Sequence, residues 1–429
     1  MKIEKMKGFR DHYPEDMEIR TYFFKKITDL AENFGYRQID FPSLEPLDLY
    51  RLKSGTELVN QTFSFVDKGD REVTMIPEAT PSTVRLLTAR KDLPRPIRWY
   101  SFPKVWRYEE PQEGRFREHY QFNADMFGID SEEADAEIIG LASGILDYLG
   151  LSGVYEININ DRYLMEYILK DLGIVNIPEA FSIIDKYKKL DRAHFSSLFT
   201  QIGAGEDVIK KILSLLSEKI DSGILEKKVK KTVKNYDEIK PRIERIKKTF
   251  DLVSFYTESQ INYDFAVVRG LSYYTGIVFE AFDIKGELRA ILGGGRYNSL
   301  SKLFTEEEIP AIGFALGDAV IELLLKRQNL WIKRNLKESY YICNLSTSDD
   351  KYIIKIASII RNINKIAIVD MTHRKISSQM KSASSCNYAI IIGDREIEEN
   401  TVTIKNMETS EQNNVGYDDF LLQLRNKLP

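Results

Sequence analysis

The residues of this chain that could do chemistry are concentrated between Trp106 and Gly128, in the sequence WRYEEPQEGRFREHYQFNADMFG. This segment carries arginines, carboxylates, a glutamine and a glycine between two runs of alternating character. Arginine forks suit phosphates and carboxylates, whereas carboxylates and amides accept hydrogen bonds from amines. The segment could therefore bind an anionic and a cationic group together, although a solvated surface hairpin would also carry mixed charge.

Two strands must position these side chains. The aromatic and β-branched run from Trp99 to Glu109 predicts the first strand, and the alternating run that starts at Phe116 predicts the second. The Pro and Gly of EPQEG are typical of the loop of a long hairpin. Because side chains alternate between the two faces of a strand, the hairpin should bring one polar set together. That set is Arg107, Glu109, Arg115, Gln121 and Asp125.

Three further segments carry candidate site residues. TMIPEATPS offers Glu78 and Thr80 after a strand, although a turn carboxylate there could simply cap the next helix. VVRGLSYYTGIVFE places Arg269 at the end of an apolar strand, where a buried guanidinium needs an anionic ligand or a salt-bridge partner. LGGGRYNSL has three glycines before Arg296, which fits either a backbone approach to a phosphate or a hairpin or bulge.

Taken together, these segments predict a site that binds a polyphosphate at one end and a cationic amine at the other. Four arginines lie on or beside strands and are mixed with carboxylates and glycines. Glu109 could hold Mg²⁺ that bridges phosphates, because Mg²⁺ prefers a few carboxylates together with ligand oxygens.

The composition excludes several other classes of protein. The chain has 429 residues, of which 43% are hydrophobic and 29% charged, and its formal net charge is −4. These values indicate a globular chain of about three domains rather than a general nucleic-acid binder. No apolar run approaches the ~18 residues of a membrane span, and the N-terminus has no stretch of signal type. Cys343 and Cys386 alone give no disulfide framework or cysteine-based zinc site, so we expect a cytoplasmic location.

Periodicity divides the chain into four parts and predicts an α+β fold. Residues 1–162 mix helices and strands, and residues 163–252 read as helices alone, which suggests an inserted helical domain. Strands return over residues 253–328. From 331 to 429 strands and helices alternate, as in a small α/β domain with right-handed crossovers.

The predicted insertion ends in a basic run. Residues 226–248 hold ten Lys or Arg against four Asp or Glu. This pattern fits a solvated helix face with ion pairs four residues apart, and it also fits a contact with a phosphate backbone. The run alone does not decide between the two.

The hairpin RYEEPQEGRFREHYQFNADMFG closely resembles motif 2 of the histidyl-tRNA synthetases, within the class II aminoacyl-tRNA synthetases. RGLSYYTGIVFE and GGGRYNSL resemble two further signatures of that family, and MKGFRDHYPED, the strand around Pro42 and PEAT also match. The C-terminal stretch that starts at MTHRKISSQMK resembles the family's anticodon-binding domain. The resemblance implies a six- or seven-stranded antiparallel sheet with flanking helices, a helical insertion, an α/β anticodon-binding domain and a homodimer.

The resemblance also implies an activity and roles for individual residues. L-Histidine and ATP, with Mg²⁺, would give a histidyl-adenylate and pyrophosphate, and the histidyl group would then pass to tRNA(His) with release of AMP. Catalytic roles fall on Arg269 and Arg107. ATP-binding roles fall on Arg107, Glu109, Arg115 and Arg296, with Glu109 near a phosphate-bound Mg²⁺. Histidine-binding roles fall on Glu78, Thr80, Gln121, Asp125, Tyr273 and Tyr274. Gln112 and Arg117 are candidates for the acceptor end of the tRNA.

The chain departs from the family pattern at four positions. Val320 stands where the motif 3 arginine that stacks on adenine is expected, and Ala319 stands where the motif 3 glutamate is expected. Ser272 and Asn298 stand where aspartates are expected. Such departures occur in catalytically silent relatives. The alternative function is therefore a regulatory subunit of ATP phosphoribosyltransferase in histidine biosynthesis. The presence of motif 2, of Arg269 and of the C-terminal domain favours the active enzyme.

Overall fold

The structure is a computed structural model, and it describes residues 3–51, 59–90, 92–269, 273–332, 337–345 and 350–425. The chain divides into two compact units, residues 1–332 and residues 333–429.

The first unit is built on a nine-stranded, mostly antiparallel sheet. The strand order is β1-β5-β7-β12-β11-β10-β8-β9, and β6 also pairs with β7. The strands are β1 Arg37–Gln38, β5 Ile97–Ser101, β6 Lys104–Trp106, β7 Glu118–Phe127, β8 Tyr155–Asp161, β9 Gln260–Tyr263, β10 Ile277–Asp283, β11 Leu292–Arg296 and β12 Ala311–Gly317. The predicted fold class is confirmed, but the sheet is larger than the six or seven strands expected. Short parallel pairs, β1 with β5 and β8 with β9, extend it at both ends.

The predicted continuous strand from Trp99 to Glu109 is wrong. β5 ends at Ser101 and β6 covers only Lys104–Trp106, and both pair with the long strand β7. Pro103 lies in the gap; it has no N–H for a ladder, although its carbonyl accepts a hydrogen bond from Gln121 N at 2.9 Å. The residues from Arg107 onward therefore belong to the loop, in which the Arg107 N–H donates to Arg117 O at 2.9 Å.

A small antiparallel sheet in the order β2-β4-β3 lies in the same unit. Its strands are β2 Leu44–Pro46, β3 Phe63–Val66 and β4 Glu72–Met75. Pro46 is on an edge strand, where the missing N–H costs no ladder bond.

Helices pack on the large sheet and bury its apolar side chains. They are α1 Pro14–Asn33, α2 Asp48–Arg51, α3 Thr80–Thr88, α4 Glu132–Tyr148 and α11 Asp318–Arg327. Ser131 caps α4, because its side chain accepts a hydrogen bond from Ala134 N. An ion-pair network joins the N-terminal segment to α11: Arg20 contacts Asp318 and Glu322, and Arg10 contacts Asp318 at 2.9 Å.

The region between β8 and β9 is helical, as its sequence suggests. Its helices are α5 Arg162–Asp171, α6 Ile177–Asp185, α7 Arg192–Gln201, α8 Glu206–Leu216, α9 Ser222–Thr232 and α10 Tyr236–Val253. Much of the basic run pairs with acidic side chains: Lys230 contacts Glu226 at 2.7 Å, and Lys248 contacts Glu133 at 2.7 Å. These pairs favour the solvated-face interpretation of the run.

The second unit has a five-stranded sheet in the order β14-β13-β15-β16-β17. Its strands are β13 Ser339–Asn344, β14 Ile366–Val369, β15 Tyr388–Ile392, β16 Thr401–Asn406 and β17 Gln412–Gly416. Its helices are α12 Asp350–Asn362, α13 Ile376–Ala383, α14 Asp394–Glu398 and α15 Tyr417–Arg425. β13 runs parallel to β14 and β15, as helical crossovers require, while β16 and β17 continue antiparallel. Within the described ranges, no helix of the chain is long and apolar enough to cross a membrane.

Candidate active site

Two neighbouring cavities lie against the motif-2-like hairpin. The larger, which we call the arginine cavity, has a volume of about 220 Å³. The smaller, the tyrosine cavity, has a volume of about 40 Å³ and is lined by Tyr273, Tyr274 and Tyr297. Arg107, Gln121 and Arg269 line both cavities. A ligand that occupied both would therefore meet these three side chains where its two parts join.

The alternating polar side chains of β7 face the tyrosine cavity. β7 pairs with β5 and β6 on one side and with β12 on the other, so it lies inside the sheet. Gln121, Asn123 and Asp125 are 8%, 2% and 3% exposed and line this cavity. The solvated-hairpin interpretation is wrong for these residues, because a period of two on a central strand directs them to one buried face.

Asp125 is the buried acid of the tyrosine cavity. The Tyr297 hydroxyl donates a hydrogen bond to its Oδ1. Burial raises the pKa of Asp125 to about 7, and the Tyr297 bond opposes this rise. The carboxyl fits beside β12 only because residue 313 is glycine, since a Cβ there would overlap its Oδ1. Asp125 is thus an acceptor that a ligand N–H could reach within the cavity wall.

Glu78 forms the other acidic wall of the same cavity. It lies just before α3, is 4% exposed, and accepts a hydrogen bond from the Tyr273 hydroxyl at 3.0 Å. Burial, and then the charge of Glu78, raise the pKa of Tyr273 well above its ordinary value. Thr80, at the start of α3, lines the cavity beside Glu78. Gln121 Oε1 is buried and has no hydrogen-bond partner among the described residues, so it can accept a bond from a ligand.

Arg269 stands between the two cavities in a constrained backbone conformation. Its φ of 57° lies in the left-handed region, which residues with a side chain seldom adopt. Its Nη1 donates to Glu280 Oε1 at 2.6 Å, and its guanidinium lies 5.9 Å from the centre of the Tyr274 ring. Burial opposes the charged form, but Tyr274 and Glu280 outweigh it and raise the pKa of Arg269. The residue is therefore a permanent cation.

The glycine run before Arg296 leaves room for the Arg269 side chain. The run lies inside β11, not in a turn, and a Cβ at Gly293 would overlap the Arg269 guanidinium. The run pairs regularly on both sides, so it forms neither a hairpin turn nor a bulge, and Gly293 also lines the arginine cavity. Glycine is needed at position 293 because the Arg269 side chain, from the segment between β9 and β10, comes close to the backbone there.

The arginine cavity carries an excess of positive charge. Four guanidiniums line it together with two carboxylates, and these residues are Arg107, Arg115, Arg269, Arg289, Glu109 and Glu280. Arg107 Nε donates to Pro77 O at 2.9 Å, which orients the side chain. Arg115 forms a bidentate pair with Glu109. Burial alone would raise the pKa of Glu109, but Arg115 outweighs burial and lowers it. The cavity is suited to a polyanion.

Three of the expected site residues lie elsewhere. Arg296 was expected at the nucleotide, but it is 1% exposed and donates to Asp135 Oδ1 at 2.5 Å and to Ile129 O at 3.0 Å. It lines neither cavity, so its placement contradicts the ATP-binding role. Gln112 and Arg117 are in the hairpin loop outside both cavities, where Arg117 lies 4.0 Å from the centre of the Tyr108 ring.

Four residues at the site were not singled out for it from the sequence: His119, Glu280, Arg289 and Tyr297. His119 and Tyr297 belong to motifs that were recognised, so their positions in those motifs were an available signal. Burial, and then Arg107, lower the pKa of His119 to about 3, and the imidazole is therefore neutral. Glu280 ends the recognised run RGLSYYTGIVFE, so its position there was a signal as well. Arg289 gave no signal, because a charged residue just before a strand is ordinary on a protein surface.

The structure describes three of the four departures from the family pattern. Ala319 and Val320 are buried and line the arginine cavity, so the expected carboxylate and guanidinium are missing from the cavity wall itself. Asn298 Oδ1 accepts from Arg296 Nη1 at 3.3 Å and from Ala311 N at 3.2 Å. Ser272 lies outside the described residues.

Comparison with known proteins gives matches over almost the whole chain. A family model described as histidyl-tRNA synthetase matches residues 8–319, and one described as an anticodon binding domain matches residues 340–427. A histidine–tRNA ligase from Picrophilus torridus is 60% identical over 424 residues, which cover 98% of this chain and 99% of the relative. One from Thermoplasma volcanium is 51% identical over 423 residues, which cover 98% of each chain. The crystal structure of a histidyl-tRNA synthetase from Nostoc sp. PCC 7120 has a similar fold, with a TM-score of 0.82, 21% identity and complete coverage of both chains.

Proposed function

Since the chain belongs to the histidyl-tRNA synthetase family and ligates L-histidine to tRNA(His), we propose that its two cavities divide the substrates of this reaction between them. Histidine enters the tyrosine cavity, and the phosphates of ATP enter the arginine cavity. The observation that carries this proposal is the shared wall of Arg107, Gln121 and Arg269. It supports a reaction in which the substrate carboxylate and the α-phosphate meet where the cavities join.

At the histidine end, the buried acceptors match the donors of the substrate. Glu78, Thr80 and Gln121 are available to the α-amino group, and Gln121 brings an acceptor atom that has no partner in the described chain. Asp125 and Tyr274 are available to the imidazole nitrogens. A ligand of the same shape without N–H groups would leave the Gln121 Oε1 unpaired and would use none of the other acceptors, and sites of this kind reject such analogues by about 10⁴-fold.

At the reacting centre, the chemistry needs cations rather than a nucleophilic side chain. The histidine carboxylate attacks the α-phosphorus, a bond to the carboxylate oxygen forms, and pyrophosphate leaves with the electrons of the broken bond. Two anions must meet, and negative charge builds on the phosphoryl oxygens. Arg107 and Arg269 are positioned to stabilise that charge, and such a donor is typically worth about 3–4 kcal/mol. The adenylate then passes its histidyl group to the tRNA 3′ end, with release of AMP.

The arginine cavity also has carboxylates that suit Mg²⁺. Glu109 and Glu280 line the arginine cavity, each held by one arginine, and Mg²⁺ at phosphate sites takes one or two carboxylates with phosphate oxygens. The ion would neutralise phosphate charge. In the described part of the chain, no group of three or more His, Cys, Asp or Glu could hold a metal. The donor set therefore fits an ion brought by the nucleotide rather than a resident one.

Both units of the enzyme would contact the tRNA. Gln112 and Arg117 lie in the hairpin loop next to the arginine cavity and are available to the acceptor end. The second unit, which matches an anticodon-binding domain, is available to the anticodon. Ribosomes use the aminoacylated tRNA, so the proposed location of the enzyme is the cytoplasm.

A homodimer is the assembly that the family implies, and the small sheet offers an apolar surface for it. Leu44 and Phe65 are 40% and 51% exposed, and their pairing with Met75 and Val73 on the central strand puts both on one face of this sheet. Exposed apolar side chains grouped in this way mark contact surfaces. Phe65→Lys should lower the mass measured by sedimentation equilibrium from that of a dimer to that of a monomer, and Val175→Lys, at an isolated site that is 91% exposed, should not.

The regulatory-subunit alternative is not favoured. Relatives that cover 98% of this chain at 51% and 60% identity carry the name histidine–tRNA ligase. Arg107, Arg115 and Arg269 all line one cavity, as catalysis at a phosphate requires.

The decisive experiment is histidine-dependent exchange of labelled pyrophosphate into ATP, measured with several amino acids. We expect exchange with histidine and Mg²⁺ and none with phenylalanine or glutamine. Binding of histidine without exchange would contradict the proposed division of the two cavities.

A further inference from the structure

Arg289 is a cation of the arginine cavity without a partner of its own among the described residues. It precedes β11 and lines the cavity beside Ala290 and Ile291. In the part of the chain that the structure describes, no residue forms a hydrogen bond with its guanidinium, and none forms an ion pair with it within 4 Å. The other three arginines of the cavity each donate a hydrogen bond, Arg115 to Glu109, Arg269 to Glu280 and Arg107 to Pro77 O. Of the four described guanidiniums, that of Arg289 therefore has its donors available to a ligand.

The surroundings of Arg289 disfavour its charged form unless an anion is bound. Partial burial, and then the neighbouring charge of Arg115, lower the pKa of Arg289. Glu109 acts in the opposite direction, but its carboxylate is already engaged by Arg115. A guanidinium that lies near other guanidiniums without its own carboxylate costs stability in the free protein. Such an arrangement is retained when a bound anion offsets the cost.

We propose that Arg289 binds the outer phosphates of ATP, next to Arg115, and thereby supplies the cation that Val320 does not. The inference rests on the proposed function of the arginine cavity. Val320 lines that cavity, so the missing guanidinium and the added one belong to the same volume. Arg289 lines the arginine cavity and is not among the residues that line the tyrosine cavity. Its position therefore points to the phosphate chain and not to histidine.

This assignment separates phosphate binding from adenine stacking. A guanidinium on the β- and γ-phosphates affects ATP and pyrophosphate but not AMP, which has neither group. A guanidinium stacked on adenine affects ATP and AMP alike and does not affect pyrophosphate. The ligands themselves thus distinguish the two positions.

The experiment measures affinities by isothermal titration calorimetry. ATP, pyrophosphate and AMP are each titrated into the parent protein and into the variants Arg289→Met and Arg289→Lys. We expect Arg289→Met to bind ATP and pyrophosphate about tenfold or more weakly, because a charge-assisted bond is lost. Its affinity for AMP should stay within about twofold of the parent. Arg289→Lys keeps the charge and should recover part of the loss. Arg90→Met removes an exposed arginine that pairs with Asp92, and it should leave all three affinities unchanged.

Equal losses for ATP and AMP, or no loss for either, would overturn the assignment. A parent protein that bound neither ATP nor pyrophosphate would instead contradict the proposed function, so the two failures are distinguishable. Thermal unfolding without ligand gives an independent readout. Arg289→Met should unfold at the same or a higher temperature than the parent, because it removes like-charge repulsion. A lower unfolding temperature would assign Arg289 a structural role.

Discussion

Tyr297 donates its hydroxyl hydrogen bond to Asp125, and the two side chains lie buried together at the closed end of the tyrosine cavity. The bond leaves the second carboxylate oxygen of Asp125 as the acceptor that a substrate can use. It also fixes the carboxyl in one orientation, which a site that reads one amino acid requires.

Asp125→Asn should change how stability depends on pH. Burial raises the pKa of Asp125 from its ordinary 3.8 to about 7, so the folded chain holds a proton that the unfolded chain releases. The stability that this group contributes is complete below about pH 4 and is lost as the pH rises through 7. Asparagine does not ionise, so the variant should be more stable than the parent at pH 8, by up to about 4 kcal/mol.

Urea unfolding at pH 4 and at pH 8 measures this difference. Asp130→Asn is a control, because Arg245 and Arg296 overcome the effect of burial and lower the pKa of Asp130. The stability of Asp130→Asn relative to the parent should be lower at pH 8 than at pH 4. An advantage of Asp125→Asn that was the same at both pH values would contradict the assignment of the shift to Asp125.

Replacement of Arg269 should slow adenylate formation without unfolding the chain. Arg269→Ala removes a cation aimed at the reacting centre and should reduce the pyrophosphate exchange rate by about 10²-fold or more. The change leaves Glu280 without its partner, and the double variant Arg269→Ala/Glu280→Gln removes that unpaired charge. The double variant should recover thermal stability but not activity. An exchange rate within tenfold of the parent would show that another group stabilises the phosphate charge.

Gly293→Ala should impair catalysis although glycine brings no side chain to the site. The added methyl group would overlap the Arg269 guanidinium, which must then move away from Glu280. We expect a decrease of at least tenfold in the exchange rate, because small displacements of catalytic groups are costly. Gly205→Ala is the matched control, since a methyl group there would meet no described atom within 4 Å and the φ of Gly205 is −76°. Equal rates in the two variants would show that Arg269 tolerates the displacement.

Removal of residues 333–429 should separate the two halves of the reaction. These residues form a compact unit, and both cavities are lined by the first unit alone. Charging of tRNA(His) should fall about 10²-fold or more, whereas histidine-dependent pyrophosphate exchange should stay within about tenfold of the full chain. Equal decreases would make the second unit a structural support rather than a tRNA-binding unit.

Much of the site could be predicted because short-range patterns carry it. The alternation in β7 placed Gln121 and Asp125 on one face, and the apolar run before Arg269 implied a partner, which is Glu280. The strand predicted to end at Arg269 is wrong, because β9 ends at Tyr263 and Arg269 lies between β9 and β10. The fold class followed from the same patterns. The break at Pro103 was foreseeable from its missing N–H.

The positions of Arg296 and Arg289 could not be predicted, because long-range packing decides them. Arg296 lies three residues from Gly293 on β11, so the two face opposite sides of the sheet. Helix α4 packs on the side of the sheet that Arg296 faces, and its Asp135 accepts hydrogen bonds from Arg296. The packing of this helix therefore decides which side of the sheet holds the cavity. Arg289 lies beyond the strand end, where no periodicity applies, and only the assembled cavity shows its role.

The wall that the two cavities share has a thermodynamic consequence. In the free protein Arg269 is held by Glu280 through Nη1, and under the proposed function a substrate carboxylate or phosphate that replaced Glu280 would break that pair. The first substrate to arrive would bear the cost of this exchange, and the second would meet a guanidinium already released. Each substrate would then tighten the binding of the other by the same factor, whichever binds first. The ion pair would set the size of this heterotropic cooperativity, and the enzyme would respond most steeply when histidine and ATP are both present.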